Sequence, residues 1–181
     1  MIKPKPIFLF IFLTIISNSL FSQTKAGNTY DTNEFRIQFP GTFAKTAQTI
    51  ASSLGDLVMT IVSYEPADSV KDENYVYMVF ETNYPDSIIN SNKVDLLDQF
   101  FRGAIEGAVK NVNGKLISET SGKVEKYPSR NVEIDYGNGM AIIKSQIILR
   151  ENKLIMLQTI TDTNNYPNPS MERFFNSLSL K

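Results

Sequence analysis

The chain has 181 residues, of which 18 are basic and 19 acidic, and it contains no histidine, cysteine or tryptophan. The absence of histidine and cysteine excludes Ser-His-Asp and Cys-His catalysis, disulfides, and imidazole or thiolate metal sites, so we expect no cofactor and no transition metal. Because no run of like charges occurs, neither nucleic acid nor an anionic membrane surface is an expected partner.

Residues 1–22 have the pattern of a secretory signal peptide, with Lys3 and Lys5 before an apolar run over 7–16 and a small polar tail. The run is shorter than the roughly 20 residues that span a bilayer, so we predict cleavage rather than a retained membrane anchor. The protein is then periplasmic or secreted. We predict a mobile leader over 23–33 and a single domain over 34–181.

The first predicted strands are short and half-buried. Apolar and polar residues alternate over 35–39, which predicts a strand that ends at Pro40-Gly41, and a weaker second strand follows over 43–50. A turn is expected over 52–55.

Two later strands, over 57–64 and 75–80, are apolar on both faces. Such strands predict a central sheet that is covered on both sides. The acidic segment 65–74 between them offers carboxylates for calcium, but it lacks the alternating ligands and the central glycine of an EF-hand. We therefore interpret it as a solvated loop.

An amphipathic helix is predicted over 94–112, because apolar residues recur there at three- and four-residue spacing and charges lie opposite. Asn92 is the expected N-cap, and Asn113-Gly114 is expected to end the helix. Its apolar stripe comprises Val94, Leu97, Phe101, Ala104, Ile105, Ala108 and Val112.

The last third of the chain predicts an antiparallel meander over 128–157, preceded by an edge strand over 115–127 that bends at Gly122. Asn138-Gly139 favours a type I′ turn, and Asn152 offers a left-handed residue for the second turn. A closing helix is predicted from the cap Asn168 and from Pro169 at its first position.

The predicted class is α+β, a central antiparallel sheet with helices on both faces in a three-layer α/β/α sandwich. The order of elements, with the fragments FRIQFP at 35–40 and RFFNSL at 173–178, resembles the PsbP-like fold and the DcrB-like envelope proteins. For photosynthetic members this resemblance implies an accessory role rather than catalysis. It carries over no site residue, because the histidines and metal contacts of some members have no counterpart here. The tail of the signal resembles signals of Bacteroidota.

A carboxylate pair is the one candidate for catalysis. Glu133 and Asp135 lie two apart on a predicted strand, so both leave one face while Val132, Ile134 and Tyr136 are expected to point to the core. Such a pair can perform acid/base chemistry, although a solvated strand face is the more common arrangement. A cross-strand ion pair with Lys144 is the expected relationship.

Aromatic residues are numerous enough to line an apolar pocket, and ordinary core packing is the alternative. The candidate ligand-binding residues are Tyr64, Tyr77, Phe101 and Tyr136.

Two functions of different classes follow. The first is an exported, non-catalytic envelope protein that binds a protein partner or a small apolar ligand through the sheet face or the crevice beside helix 94–112. The alternative is a carboxylate-based hydrolase that uses Glu133 and Asp135.

Overall fold

The computed structural model describes residues 28–52 and 55–181, so the predicted signal peptide and most of the predicted leader lie outside it. The described residues form ten strands in two antiparallel sheets, two α-helices and one 3-10 turn over Thr163–Asn165. Neither helix combines the length and the apolarity that crossing a bilayer requires, as far as the described residues go. The strands are β1 (Thr29–Asp31), β2 (Phe35–Gln38), β3 (Ala44–Ser52), β4 (Gly55–Tyr64), β5 (Asn74–Asn83), β6 (Lys115–Val124), β7 (Tyr127–Tyr136), β8 (Ala141–Arg150), β9 (Lys153–Asp162) and β10 (Ser179–Leu180). The helices are α1 (Val94–Asn111) and α2 (Pro169–Asn176).

The larger sheet has seven strands in the order β3-β4-β5-β9-β8-β7-β6. It contains the predicted meander as β7, β8 and β9, and β6 is an edge strand as predicted. A second sheet has the order β1-β2-β10. Thr29–Asp31 were expected in a mobile leader, but they pair with β2 because buried Tyr30 packs its ring against Phe35 and Phe43.

The turns of the meander differ in detail from the prediction. Asn138 and Gly139 have positive φ, but four residues rather than two separate β7 from β8, since Tyr136 pairs with Ala141. The Asp135 carboxylate stabilises this wider loop by accepting a hydrogen bond from the Gly139 amide at 2.6 Å.

The second turn also uses its residues differently. Glu151, not Asn152, occupies the left-handed position with φ 54°. Asn152 is engaged elsewhere, because its side-chain amide donates to the Tyr84 carbonyl at 2.6 Å.

Helix α1 follows the predicted stripe, with two corrections at its start. Val94 is 71% exposed and lies outside the stripe, whereas Phe100 is buried. The residue before the helix is Lys93, which makes no side-chain cap. Its ammonium instead donates to the carbonyls of Asp86 and Ser87. Asn92 is therefore not the N-cap.

Alternate residues of the large sheet belong to separate apolar clusters. Ile143 and Ile147 of β8 pack in the cluster that contains Phe101 of α1. Ile148, of opposite parity, packs in the cluster that contains Phe174 of α2 and the small sheet. The predicted helix at the C-terminus is confirmed with its cap, because the Asn168 side chain accepts from the Met171 amide at 2.8 Å.

The three-layer α/β/α sandwich itself is not confirmed. Helix α2 has only eight residues, and it shares its cluster with buried residues of the three-stranded sheet, among them Phe35, Ile37 and Leu180. Helix α1 covers one face of the large sheet, whereas α2 and the three-stranded sheet together cover the other. About half of the described residues lie in strands.

Candidate functional site

Two clefts lie at opposite ends of β2, beside the three-stranded sheet. We call the first the α2 cleft; it encloses about 350 Å³, a volume typical of small-ligand sites. Its lining residues are Gln38, Phe39, Pro40, Lys71, Asp72, Ser170, Arg173, Phe174 and Ser177. We call the second, of about 450 Å³, the hairpin cleft, and its lining residues are Tyr30, Asp31, Thr32, Asn33, Glu34, Lys45, Thr60, Glu81 and Lys153.

The floor of the α2 cleft is aromatic and continuous with the core. The rings of Phe39 and Phe174 lie 5.2 Å apart between centroids, and Phe174 contacts Tyr77 edge-on at 5.3 Å. All three side chains are buried. Since Phe174 lies on α2 and Phe39 directly follows β2, the packing of helix on sheet places this floor in the core.

One wall of the α2 cleft is formed by the end of the loop between β4 and β5. The Asp72 carboxylate accepts hydrogen bonds from the Tyr77 hydroxyl at 2.7 Å and from the Asn74 amide at 2.9 Å. Burial and then the Asp72 hydrogen bond raise the pKa of Tyr77, so this hydroxyl stays protonated as a donor. Asn74 in turn exchanges side-chain hydrogen bonds of 3.0 Å with Asn168, the cap of α2.

Two cations at the rim of the α2 cleft have no anionic partner. In the described part of the chain, no carboxylate lies within ion-pair distance of Lys71 or Arg173. Among the described residues, Arg173 donates only to the Ser170 hydroxyl, at 2.9 Å, and both cations are exposed. An aromatic floor with cations at its rim can bind a molecule that has an apolar body and an anionic group.

The hairpin cleft is richer in charge, and its half-buried charges pair with one another, while exposed Lys45 lies over the Tyr30 ring. Glu81 is only 8% exposed, and it accepts a 2.6 Å hydrogen bond from Tyr30 while Lys153 lies 3.4 Å away. Lys153 also pairs with Glu34. Burial, followed by the hydrogen bond to Glu81, raises the pKa of Tyr30. This network joins the β1–β2 hairpin to the large sheet. Its members, Lys153, Glu34, Glu81 and Tyr30, already have partners within the protein.

The predicted carboxylate pair does not converge on a cleft. Glu133 accepts hydrogen bonds from Ser118 at 3.0 Å and from Tyr166, whereas Asp135 closes the β7–β8 loop. Lys144 lies opposite Glu133 in the register, but its ammonium pairs with Glu172 of α2 at 2.8 Å because that helix lies over the same face. Among the described residues, no group of three or more acidic side chains is placed to hold a metal ion.

The four aromatic candidates have different environments. Phe101 is fully buried under the guanidinium of Arg130, whose carbon lies 4.6 Å from the ring centre. Tyr136 was expected in the core but is 43% exposed, since β7 ends there. Tyr77 and Tyr64 pack together behind the α2 cleft, with ring centroids 6.0 Å apart.

Sequence reasoning missed the residues that form the α2 cleft. The signal was nevertheless present in the two fragments that carry the family resemblance, because FRIQFP contains Phe39 and RFFNSL contains Arg173 and Phe174. Lys71 gave no signal, since it looks like any other charge of a solvated loop.

No family model matches the sequence, and no curated protein matches it. In fold, the chain is similar to the solution structure of cyanobacterial PsbP (CyanoP) from Synechocystis sp. PCC 6803, with a TM-score of 0.53 and 10% sequence identity. The match covers 92% of this chain and 99% of that one. The predicted PsbP-like fold is thus confirmed, and an identity this low speaks to the fold alone.

Proposed function

We propose that the chain is an exported, non-catalytic binding module whose α2 cleft takes a small ligand with an apolar body and one anionic group. The observation that carries the proposal is an aromatic floor beside two cations, Lys71 and Arg173, that lack carboxylate partners among the described residues. In the hairpin cleft, by contrast, half-buried Lys153 is paired with Glu34 and Glu81. The unpaired charge at the α2 cleft is therefore available to a ligand.

A binding role rather than catalysis is supported by how the polar groups of the cleft are used. Asp72 receives hydrogen bonds from Tyr77 and Asn74, which hold it as a structural acceptor. The hydroxyl of Ser177 donates to the Phe174 carbonyl at 2.7 Å. Both side chains therefore help to hold the walls of the cleft in place, which favours a structural role for them over acid/base work.

The hydrolase alternative gains no support from Glu133 and Asp135. The Glu133 carboxylate accepts hydrogen bonds from two hydroxyl groups, and the Asp135 carboxylate accepts one from an amide of the β7–β8 loop. The resemblance to PsbP-like proteins, which implies an accessory role, agrees with a binding module. Export to the periplasm or beyond is part of the proposal on the strength of residues 1–22.

The test is an NMR titration with two probes that share a phenylalkyl body and carry head groups of opposite charge, 4-phenylbutyrate and 4-phenylbutylamine. We expect the acid to shift amide signals of residues at the α2 cleft, such as Phe39 and Ser170, and the amine to shift them far less. Arg173→Glu should abolish the response to the acid. Lys123→Glu, which reverses an exposed cation on β6, is the matched control and should leave it intact. Equal responses to both probes, or shifts scattered over the surface, would contradict the proposal.

A further inference from the structure

The large sheet ends in two edge strands of different character. β6 carries Lys115, Glu119 and Lys123, and its pairing with β7 shifts register between Leu116 and Ser118. Charges and bulges of this kind protect an edge against pairing with another chain. β3 has neither protection, because Lys45 is its sole charge and its nine residues pair with β4 without a break.

The outer side of β3 is a ready template for another strand. In the part of the chain that the structure describes, its backbone hydrogen bonds run only to β4. Every second residue of an antiparallel edge strand points its N–H and C=O groups outward. Alternate residues of the nine therefore present such groups along about 30 Å of strand.

We propose that β3 pairs antiparallel with β3 of a second copy of this chain, centred on Gln48. This register overlaps all nine residues, because Gln48 is the midpoint of Ala44–Ser52. It places Gln48 opposite itself, Thr46 opposite Ile50 of the second copy, and Ala47 opposite Thr49. The two copies then form one continuous sheet of fourteen strands, seven from each.

Charge favours a second copy as the occupant. The two Lys45 side chains lie at opposite ends of the paired strands, six residues or about 20 Å apart, which exceeds the screening length of about 8 Å at physiological salt. Lys45 instead comes opposite position 51 of the second copy, which pairs with Asp56 of β4. Asp56 is exposed and has no ion-pair partner among the described residues. In the symmetric dimer, Lys45 of each copy is thus aligned across the strands with Asp56 of the other, so two such opposite-charge contacts form.

The absence of native cysteine allows a direct test of the register. Opposite residues of an antiparallel pair lie about 4.5–5.5 Å apart, within the range a disulfide can bridge. We therefore expect Gln48→Cys to form an oxidised dimer readily. Thr46→Cys is the matched control, half-buried on the same strand and face, and its two copies would lie about 13 Å apart. We expect it to cross-link about ten-fold more slowly or not at all.

Sedimentation of the purified chain without substitutions tests the dimer itself. We expect a monomer–dimer equilibrium, a several-fold weaker association for Asp56→Lys, and its restoration by Lys45→Glu combined with Asp56→Lys. A chain that stays monomeric up to about 1 mM, the weak end of specific affinities, would overturn the proposal. Equal cross-linking of the two cysteine variants would overturn it too. Binding of an extended peptide by a monomeric chain would assign the edge to another occupant and would also refute the dimer.

Discussion

The two clefts beside β2 contain similar residue types and use them in opposite ways. In the hairpin cleft, Lys153 lies between the carboxylates of Glu34 and Glu81, and its ion pairs stabilise the fold. In the α2 cleft, Lys71 and Arg173 lie at the rim over a floor of packed rings and form no ion pair with any described residue. On the binding proposal, the cleft whose rim cations lack ion pairs is the ligand site, and the cleft with more ionisable groups is not. The richer cluster is here the structural one.

The largest expected effect concerns the floor of the α2 cleft, which belongs to the core as well. Phe174 is 2% exposed and contacts the rings of Phe39, Tyr77 and Phe175. Phe174→Ala should lower the free energy of unfolding by about 3–5 kcal/mol, since the removed ring leaves a cavity. Urea unfolding of the variant measures it. A cost below about 1 kcal/mol would mean that the floor is loosely packed and the two clefts are less distinct than they look.

The next effect should be nearly as large and is expected in the hairpin cleft. Lys153→Met keeps the length of the side chain but removes the charge beside Glu81, which is almost buried. Breaking such a pair costs about 3 kcal/mol, because one charge stays buried without its partner. Denaturant midpoints at pH 7 provide the measurement.

A second variant separates this explanation from simple loss of packing. Glu81→Gln combined with Lys153→Met removes both charges, and we expect it to recover part of the lost stability. If the double variant is less stable than Lys153→Met alone, the ion pair is not the cause.

The sequence predicted the large sheet, its meander and both helices, because periodicity and cap residues are local signals. It could not predict the pairing of β1 with β2, since Tyr30 joins the core through Phe43 and Glu81, which are distant in sequence. The same limit applies to the site. Phe39 and Arg173 are separated by most of the chain, and only the folded structure brings them to one cleft. Glu133 and Asp135 show the opposite case. They lie only two residues apart on one strand, yet their carboxylates bind different structural partners and do not form a joint site.

A pH dependence should be common to both clefts. The pKa values of Tyr30 and Tyr77 are raised, first by burial and then by hydrogen bonds to Glu81 and Asp72. Below about pH 10 both tyrosines are protonated in the folded and unfolded chains. Above it the unfolded chain loses these protons first, so stability should fall by up to about 1.4 kcal/mol per pH unit for each tyrosine.

The phenylalanine variants isolate this contribution. Tyr77→Phe should cost about 1 kcal/mol at pH 7, where a hydrogen bond is lost, and the gap to the unsubstituted chain should narrow as the pH rises from 10 to 11. Tyr30→Phe should behave alike. Unfolding free energies at several pH values give the answer, and a gap that is constant over this range would show that the hydroxyls titrate equally in both states.

The smallest expected effect on stability is the one that decides the comparison. Arg173 is exposed and, within the described ranges, donates only to Ser170, so Arg173→Met should change the free energy of unfolding by less than about 0.5 kcal/mol. Lys153→Met likewise replaces a cation by methionine in the other cleft and should cost several times more, because there the cation has two carboxylate partners. Binding should show the reverse order. Arg173→Met should weaken the NMR response to 4-phenylbutyrate about three-fold or more, since a charge-assisted contact is lost. Comparable stability costs for the two variants would imply that Arg173 has a structural partner in solution and is not held free for a ligand.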